Sequence, residues 1–65
     1  MSSVGAVVAI RFQKGKIFTA KEVKEVLQEI YDDHGMNTKA KATDLPNYIP
    51  CTKAHTKAGD VYRID

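Results

Sequence analysis

The 65-residue sequence predicts a small α+β domain in which helices come first and a basic β-hairpin comes last. Three observations predict it. Residues 18–35 carry a complete helix signal. A second helical pattern follows a tight glycine connection. Residues 51–65 then alternate as two short strands around Lys57-Ala58-Gly59-Asp60. An alternative order, β-α-α-β-β, follows if residues 4–12 form a strand instead of a helix.

The helix signal in F-T-A-K-E-V-K-E-V-L-Q-E-I-Y-D-D-H-G is the clearest in the chain. Thr19 stands as N-cap with Glu22 three residues on, the T-x-x-E capping box, and Phe18 and Val23 have the spacing of a hydrophobic staple. Val23, Val26, Leu27, Ile30 and Tyr31 make one apolar face. Gly35 supplies the left-handed residue that ends the helix. Asp32 and Asp33 carry the wrong sign for the last turn, a conflict that a neighbouring lysine or His34 relieves or the helix tolerates.

Residues 2–15 fit two periods. Val4, Ala6, Val8, Ile10 and Phe12 alternate as in a strand, while Val4, Val7, Val8 and Phe12 form a helical stripe. Ser2 or Ser3 caps the helical version, and Lys14-Gly15 ends it. The helix is favoured because of the elements that follow. Residues 16–18 form at most a short strand.

After Gly35-Met36-Asn37, a second helix is expected from Thr38 to about Leu45 or Tyr48, capped by Asn37 or Thr38. Thr38, Ala42, Leu45 and Ile49 share its inner side. Ala40, Thr43, Asp44 and Asn47 share the outer side, with Lys39 and Lys41 on the flanks. Pro46 kinks or ends it, because proline lacks an N–H and crowds the carbonyl four residues back. In the hairpin, Tyr62 and Ile64 share one face, and Val61 and Arg63 the other.

This length allows one domain, residues 1–65, with a modest core and no room for a sizeable substrate pocket, so an independent enzyme is not expected. The chain reads equally as a module of a longer protein. One cysteine, Cys51, forms no internal disulfide, which fits a reducing, cytoplasmic setting. No apolar run nears the roughly 20 residues of a membrane span, so no membrane partner is expected. Cys51, His34 and His55 are too few for a structural zinc site, and phosphate-binding glycine loops are absent, so neither metal nor cofactor is expected.

The net charge of +2 is unevenly spread. Residues 1–18 hold Arg11, Lys14 and Lys16 and no acid. Residues 19–33 set Lys21 and Lys24 against Glu22, Glu25, Glu29, Asp32 and Asp33. Residues 34–65 set Lys39, Lys41, Lys53, Lys57 and Arg63 against Asp44, Asp60 and Asp65. An acidic helix with basic flanks suits a polyanion that touches the flanks. Ordinary solvated lysines are the plainer explanation.

Helix, short strand, capped helix, glycine turn, helix and basic hairpin is the order of a winged helix-turn-helix domain. There the second helix of the turn pair enters the major groove and the hairpin wing lies along the backbone. Candidate nucleic-acid contacts are Lys39, Lys41, Thr43 and Asn47 on the second helix, and Lys53, Thr56, Lys57 and Arg63 on the wing. Duplex DNA is favoured over a single strand. Tyr31 lies on the core stripe, which leaves Tyr48 and Tyr62 as the tyrosines open to base stacking.

The ending H-T-K-A-G-D-V-Y-R-I, residues 55–64, resembles the terminal hairpin of a C-terminal module in primase–helicase proteins of phages and bacterial mobile elements, including the virulence-associated-E-type proteins. F-T-A-K-E-V, residues 18–23, is similar to the segment opening their turn helices. K-A-K-A-T-D-L-P-N-Y-I, residues 39–49, resembles their second helix, with Pro46 where a helix former is expected. The resemblance implies a DNA-associated accessory domain of a replication protein, without catalytic residues. The same fold docking onto protein is the alternative, through an apolar patch around Val7, Ile10 or Phe12.

Overall fold

Ser3 starts the first element: its hydroxyl accepts a hydrogen bond from the Ala6 amide at 3.2 Å, and helix α1 runs from there over Val4–Arg11. The structure is a computed structural model that describes residues 3–65, so the other suggested cap, Ser2, lies outside the described residues. Residues 4–11 are therefore helical, and the β-α-α-β-β alternative does not hold. The helix stops a turn short of Lys14-Gly15. The Phe12 amide still donates to Val8 at 2.8 Å, but Phe12 leaves helical geometry and its ring enters the core. There it meets Phe18 edge-on, with ring centroids 4.9 Å apart. Gly15, at φ 86°, turns the chain so that its amide and the Lys16 carbonyl both bond Ile64 at 2.9 Å. That pairing leads into strand β1, Ile17–Thr19.

Helix α2, Ala20–Asp33, forms as its local signals require. The Thr19 hydroxyl accepts from the Glu22 amide at 3.1 Å, and the Glu22 carboxylate accepts from the Thr19 amide at 2.9 Å. Its apolar face, Val23, Leu27, Ile30 and Tyr31, is fully buried. Burial of each such side chain contributes about 1.5–3 kcal/mol. At the far end the Gly35 amide bonds Asp32 at 3.1 Å and the Met36 amide bonds Tyr31 at 2.9 Å, a Schellman ending with Gly35 at φ 69°. The Asp32 carboxylate accepts from the Gln28 amide at 3.1 Å, and the Arg11 guanidinium grips Glu29 through contacts of 3.3 and 3.4 Å. The second pair ties α1 to α2.

The second α-helix expected over residues 38–48 does not form. Residues 37–41 form no regular element, Lys41 is extended at φ −125° and ψ 143°, and Ala42–Asn47 follow as a 3-10 helix that contains Pro46. The cause lies in α2. Gln28 donates to the Thr38 carbonyl at 3.1 Å and accepts from the Ala40 amide at 2.9 Å. A carbonyl and an amide two residues apart are the groups that a neighbouring β-strand would bond. The non-helical path also buries Ala40, which is 2% exposed although helical periodicity places it outward. Pro46 would crowd the Ala42 carbonyl in an α-helix, and the tighter 3-10 path avoids this. Leu45 plugs the core, and Asp44 turns inward to accept from the Tyr31 hydroxyl at 3.2 Å and the Lys41 amide at 3.1 Å.

Strands β2, Cys51–Thr56, and β3, Gly59–Ile64, close the fold as a hairpin. The antiparallel sheet has the order β1-β3-β2. Gly59, at φ 119°, takes the conformation that the two-residue Lys57-Ala58 loop needs. Tyr62 and Ile64 face the helices and are buried, with Cys51 beside Ile64 half-buried. Residues 52–59 are all exposed, so the distal half of the hairpin projects beyond the core.

Candidate nucleic-acid interface

All eight candidate contact residues are exposed: Lys39, Lys41, Thr43 and Asn47 before the hairpin, and Lys53, Thr56, Lys57 and Arg63 on it. They do not share one surface. Lys39 and Lys41 stand on an irregular connection, and Thr43 and Asn47 on the 3-10 helix, so the expected helical recognition face is not built.

The sheet register divides the wing residues. Lys53 lies opposite Tyr62 and His55 opposite Asp60, which puts Lys53, His55 and Asp60 on the side of the sheet that carries Tyr62. Arg63 and Thr52 pair directly, and Thr56 lies opposite Gly59, on the outer side. Lys57 sits at the tip. The Thr56 hydroxyl is used locally, donating to the Gly59 carbonyl at 2.6 Å and accepting from the Ala58 amide at 3.2 Å. It braces the turn.

Acids hold two of the wing cations. Lys53 Nζ lies 3.8 Å from one oxygen of Asp60, and His55 Nδ1 contacts the other. Arg63 Nε lies 3.2 Å from Asp65, which also accepts from the Thr52 hydroxyl at 2.7 Å. The Thr52 bond first, and then Arg63, hold the Asp65 carboxyl below its ordinary pKa. Lys39, Lys41 and Lys57 have no ion-pair partner among the described residues. Among the candidate contacts, the unpaired cations therefore sit on the 37–41 segment and at the hairpin tip, while Lys14 and Lys16 before β1 and Lys21 and Lys24 on α2 are likewise exposed without an ion pair among the described residues.

The tyrosines offer no stacking platform. Tyr62 is buried, and the hydroxyls of Tyr31 and half-buried Tyr48 bond at 3.0 Å. Burial is the largest cause, and the Tyr48 and Asp44 contacts further causes, of a Tyr31 pKa well above the ordinary tyrosine value. Burial, with Asp65 adding, likewise raises the Cys51 thiol, so Cys51 has no activated thiolate. Among the described residues no three metal-binding side chains come together, and no helix is long and apolar enough to cross a membrane. A shallow polar cleft of about 360 Å³ lies between α2 and the next segment, lined by Gln28, Asp32, Met36, Asn37, Thr38 and Lys39.

Sequence reading missed two arrangements here. The Gln28 brace has no local signature, because its partners lie ten and twelve residues on. The Asp60 pair with His55 was available from register, since a two-residue loop places those residues opposite each other. No family model, curated protein or solved structure matches the chain.

Proposed function

We propose that the domain is a DNA-binding accessory module of a replication or mobile-element protein and binds duplex DNA mainly through phosphates. The observation that carries this reading is that the candidate contacts Lys39, Lys41 and Lys57 are exposed and unpaired, as are Lys14 and Lys16, all outside a helix whose charge is acidic. The element order, helix, short strand, helix and closing hairpin, supports a winged-helix-like reading in which the 3-10 helix Ala42–Asn47 stands where the recognition helix is expected. A module of this kind touches the backbone with its connection and wing and does little base reading. It carries out no catalysis. Helix α2 is its scaffold and faces away from the polyanion.

Titration with a mixed-sequence duplex at rising salt tests this. Three phosphate contacts give a slope of about −3 for log affinity against log salt. Lys39→Ala and Lys57→Ala each weaken binding to all sequences alike and flatten the slope by about 0.9. Absence of binding at low salt, or affinity indifferent to salt, rules the proposal out.

Docking onto another protein is the second reading, and one observation favours it. Ile10 on α1 and Ile17 on β1 are 66% and 64% exposed. The rest of the expected patch is not available, since Phe12 is buried and Val7 is half-buried against the core.

A further inference from the structure

The helix-facing side of the hairpin carries three ionisable groups where it projects past the core, Lys53, His55 and Asp60. Cross-strand register sets His55 opposite Asp60 and places Lys53 on the same side, two residues back. The Asp60 carboxylate sits between them, one oxygen toward Lys53 Nζ at 3.8 Å and the other against His55 Nδ1. The imidazole is 83% exposed. Its contact with Asp60 fixes which ring nitrogen carries the proton in the neutral form. A carboxylate accepts only, so Nδ1 is the N–H. The outward nitrogen, Nε2, is then a bare acceptor when His55 is neutral and a cationic N–H donor when it is protonated. A bare acceptor gives a phosphate oxygen nothing to bond.

The charged groups on the ring's side of the sheet are Lys53 on its own strand and Asp60 on β3, and Lys57 follows in the adjoining loop. Lys53 and Asp60 offset each other. Protonation of His55 therefore takes this side of the wing from balanced to net positive, next to the unpaired Lys57.

We propose that His55 is a proton-gated phosphate contact: the hairpin grips a nucleic-acid backbone with one more cation when the imidazole is protonated. This inference rests on the DNA-binding reading above. Asp60 acts as a positioning residue, since it aims Nε2 outward and itself touches no phosphate.

The test measures affinity of the whole chain for a mixed-sequence duplex at about pH 8 and about pH 5.5, over a range of salt. Affinity at low salt rises on the order of threefold on acidification, the size of an exposed ion pair. The slope of log affinity against log salt steepens by about 0.9, one phosphate contact. His55→Asn binds as the wild type does at the higher pH and loses both gains. Its exposure makes loss of folding no concern, and His34→Asn serves as the control that keeps both gains. Asp60→Asn removes the balancing charge and strengthens binding at both pH values. A full pH response in His55→Asn overturns the role of His55 while leaving DNA binding standing. Lack of binding at either pH overturns the DNA reading, and this inference with it.

Discussion

A glutamine amide has two N–H donors and one carbonyl acceptor, and Gln28 uses all three. It donates to Asp32 and to the Thr38 carbonyl, and it accepts from the Ala40 amide. Ala40 is buried, so the loss of this partner strands a backbone N–H away from water. Gln28→Ala is expected to cost about 1–3 kcal/mol, read from the urea midpoint. A variant with unchanged stability refutes the brace. Tyr31 makes a pH-dependent contribution. Its folded-state pKa is raised above the ordinary value of 10.0, so its share of stability is complete below that pH and declines as pH climbs beyond it. Tyr31→Phe cannot ionise, and its stability should fall less steeply across the alkaline range in urea titrations. An alkaline limb as steep as that of the wild type would refute this account.

At the scale of elements, α2 owes its ends to local chemistry. Thr19→Ala removes the reciprocal cap and is expected to cost about 1 kcal/mol. Gly35→Ala places a Cβ on left-handed backbone at φ 69° and should cost about 1–2 kcal/mol. Both losses are read by thermal unfolding. A neutral Thr19→Ala would mean that tertiary packing alone defines the helix start. The segment after α2 behaves differently. Its composition and periodicity suit a helix, and in isolation nothing but Pro46 opposes one. Gln28 and the burial of Ala40 supply the opposition from outside the segment. The hairpin joins both kinds of cause. Gly59 and the alternation of Tyr62 with Ile64 make it recognisable, while the core decides that only its proximal half is covered.

For the whole molecule, placement of charge matters more than the net of +2. Arg11 is used to dock α1 on Glu29, Lys53 is shared with Asp60, and Arg63 is held by Asp65. The other seven of the ten cations carry no ion pair among the described residues, but only Lys39, Lys41 and Lys57 of them lie on the connection and the wing tip, which is why weak, salt-sensitive association is the expected regime. Ile10 and Ile17 separate the two functional readings. Ile10→Lys and Ile17→Lys lie on exposed positions and should leave stability within about 0.5 kcal/mol. If the domain docks through this surface, both substitutions abolish association in sedimentation. If it binds DNA, both leave affinity for a duplex unchanged or slightly raised.

The sequence by itself determined the α+β class, the helix from Ala20 to Asp33 with both of its caps, the hairpin turn and the buried side of its second strand. Each of these depends on residues within a few positions of one another, where a cap, a period or a glycine is sufficient cause. Helix α1 was recognisable only as one of two options, because valine and isoleucine satisfy both periods until Phe12 is seen to need the core. Tertiary structure alone decided the non-helical path of residues 37–41, the inward turn of Asp44 and the neutralisation of Lys53 and Arg63. The physical reason is the same in each case. The partner that decides the outcome is brought close only by folding: Gln28 for the connection, Tyr31 for Asp44, and the paired strand or the chain end for the wing cations.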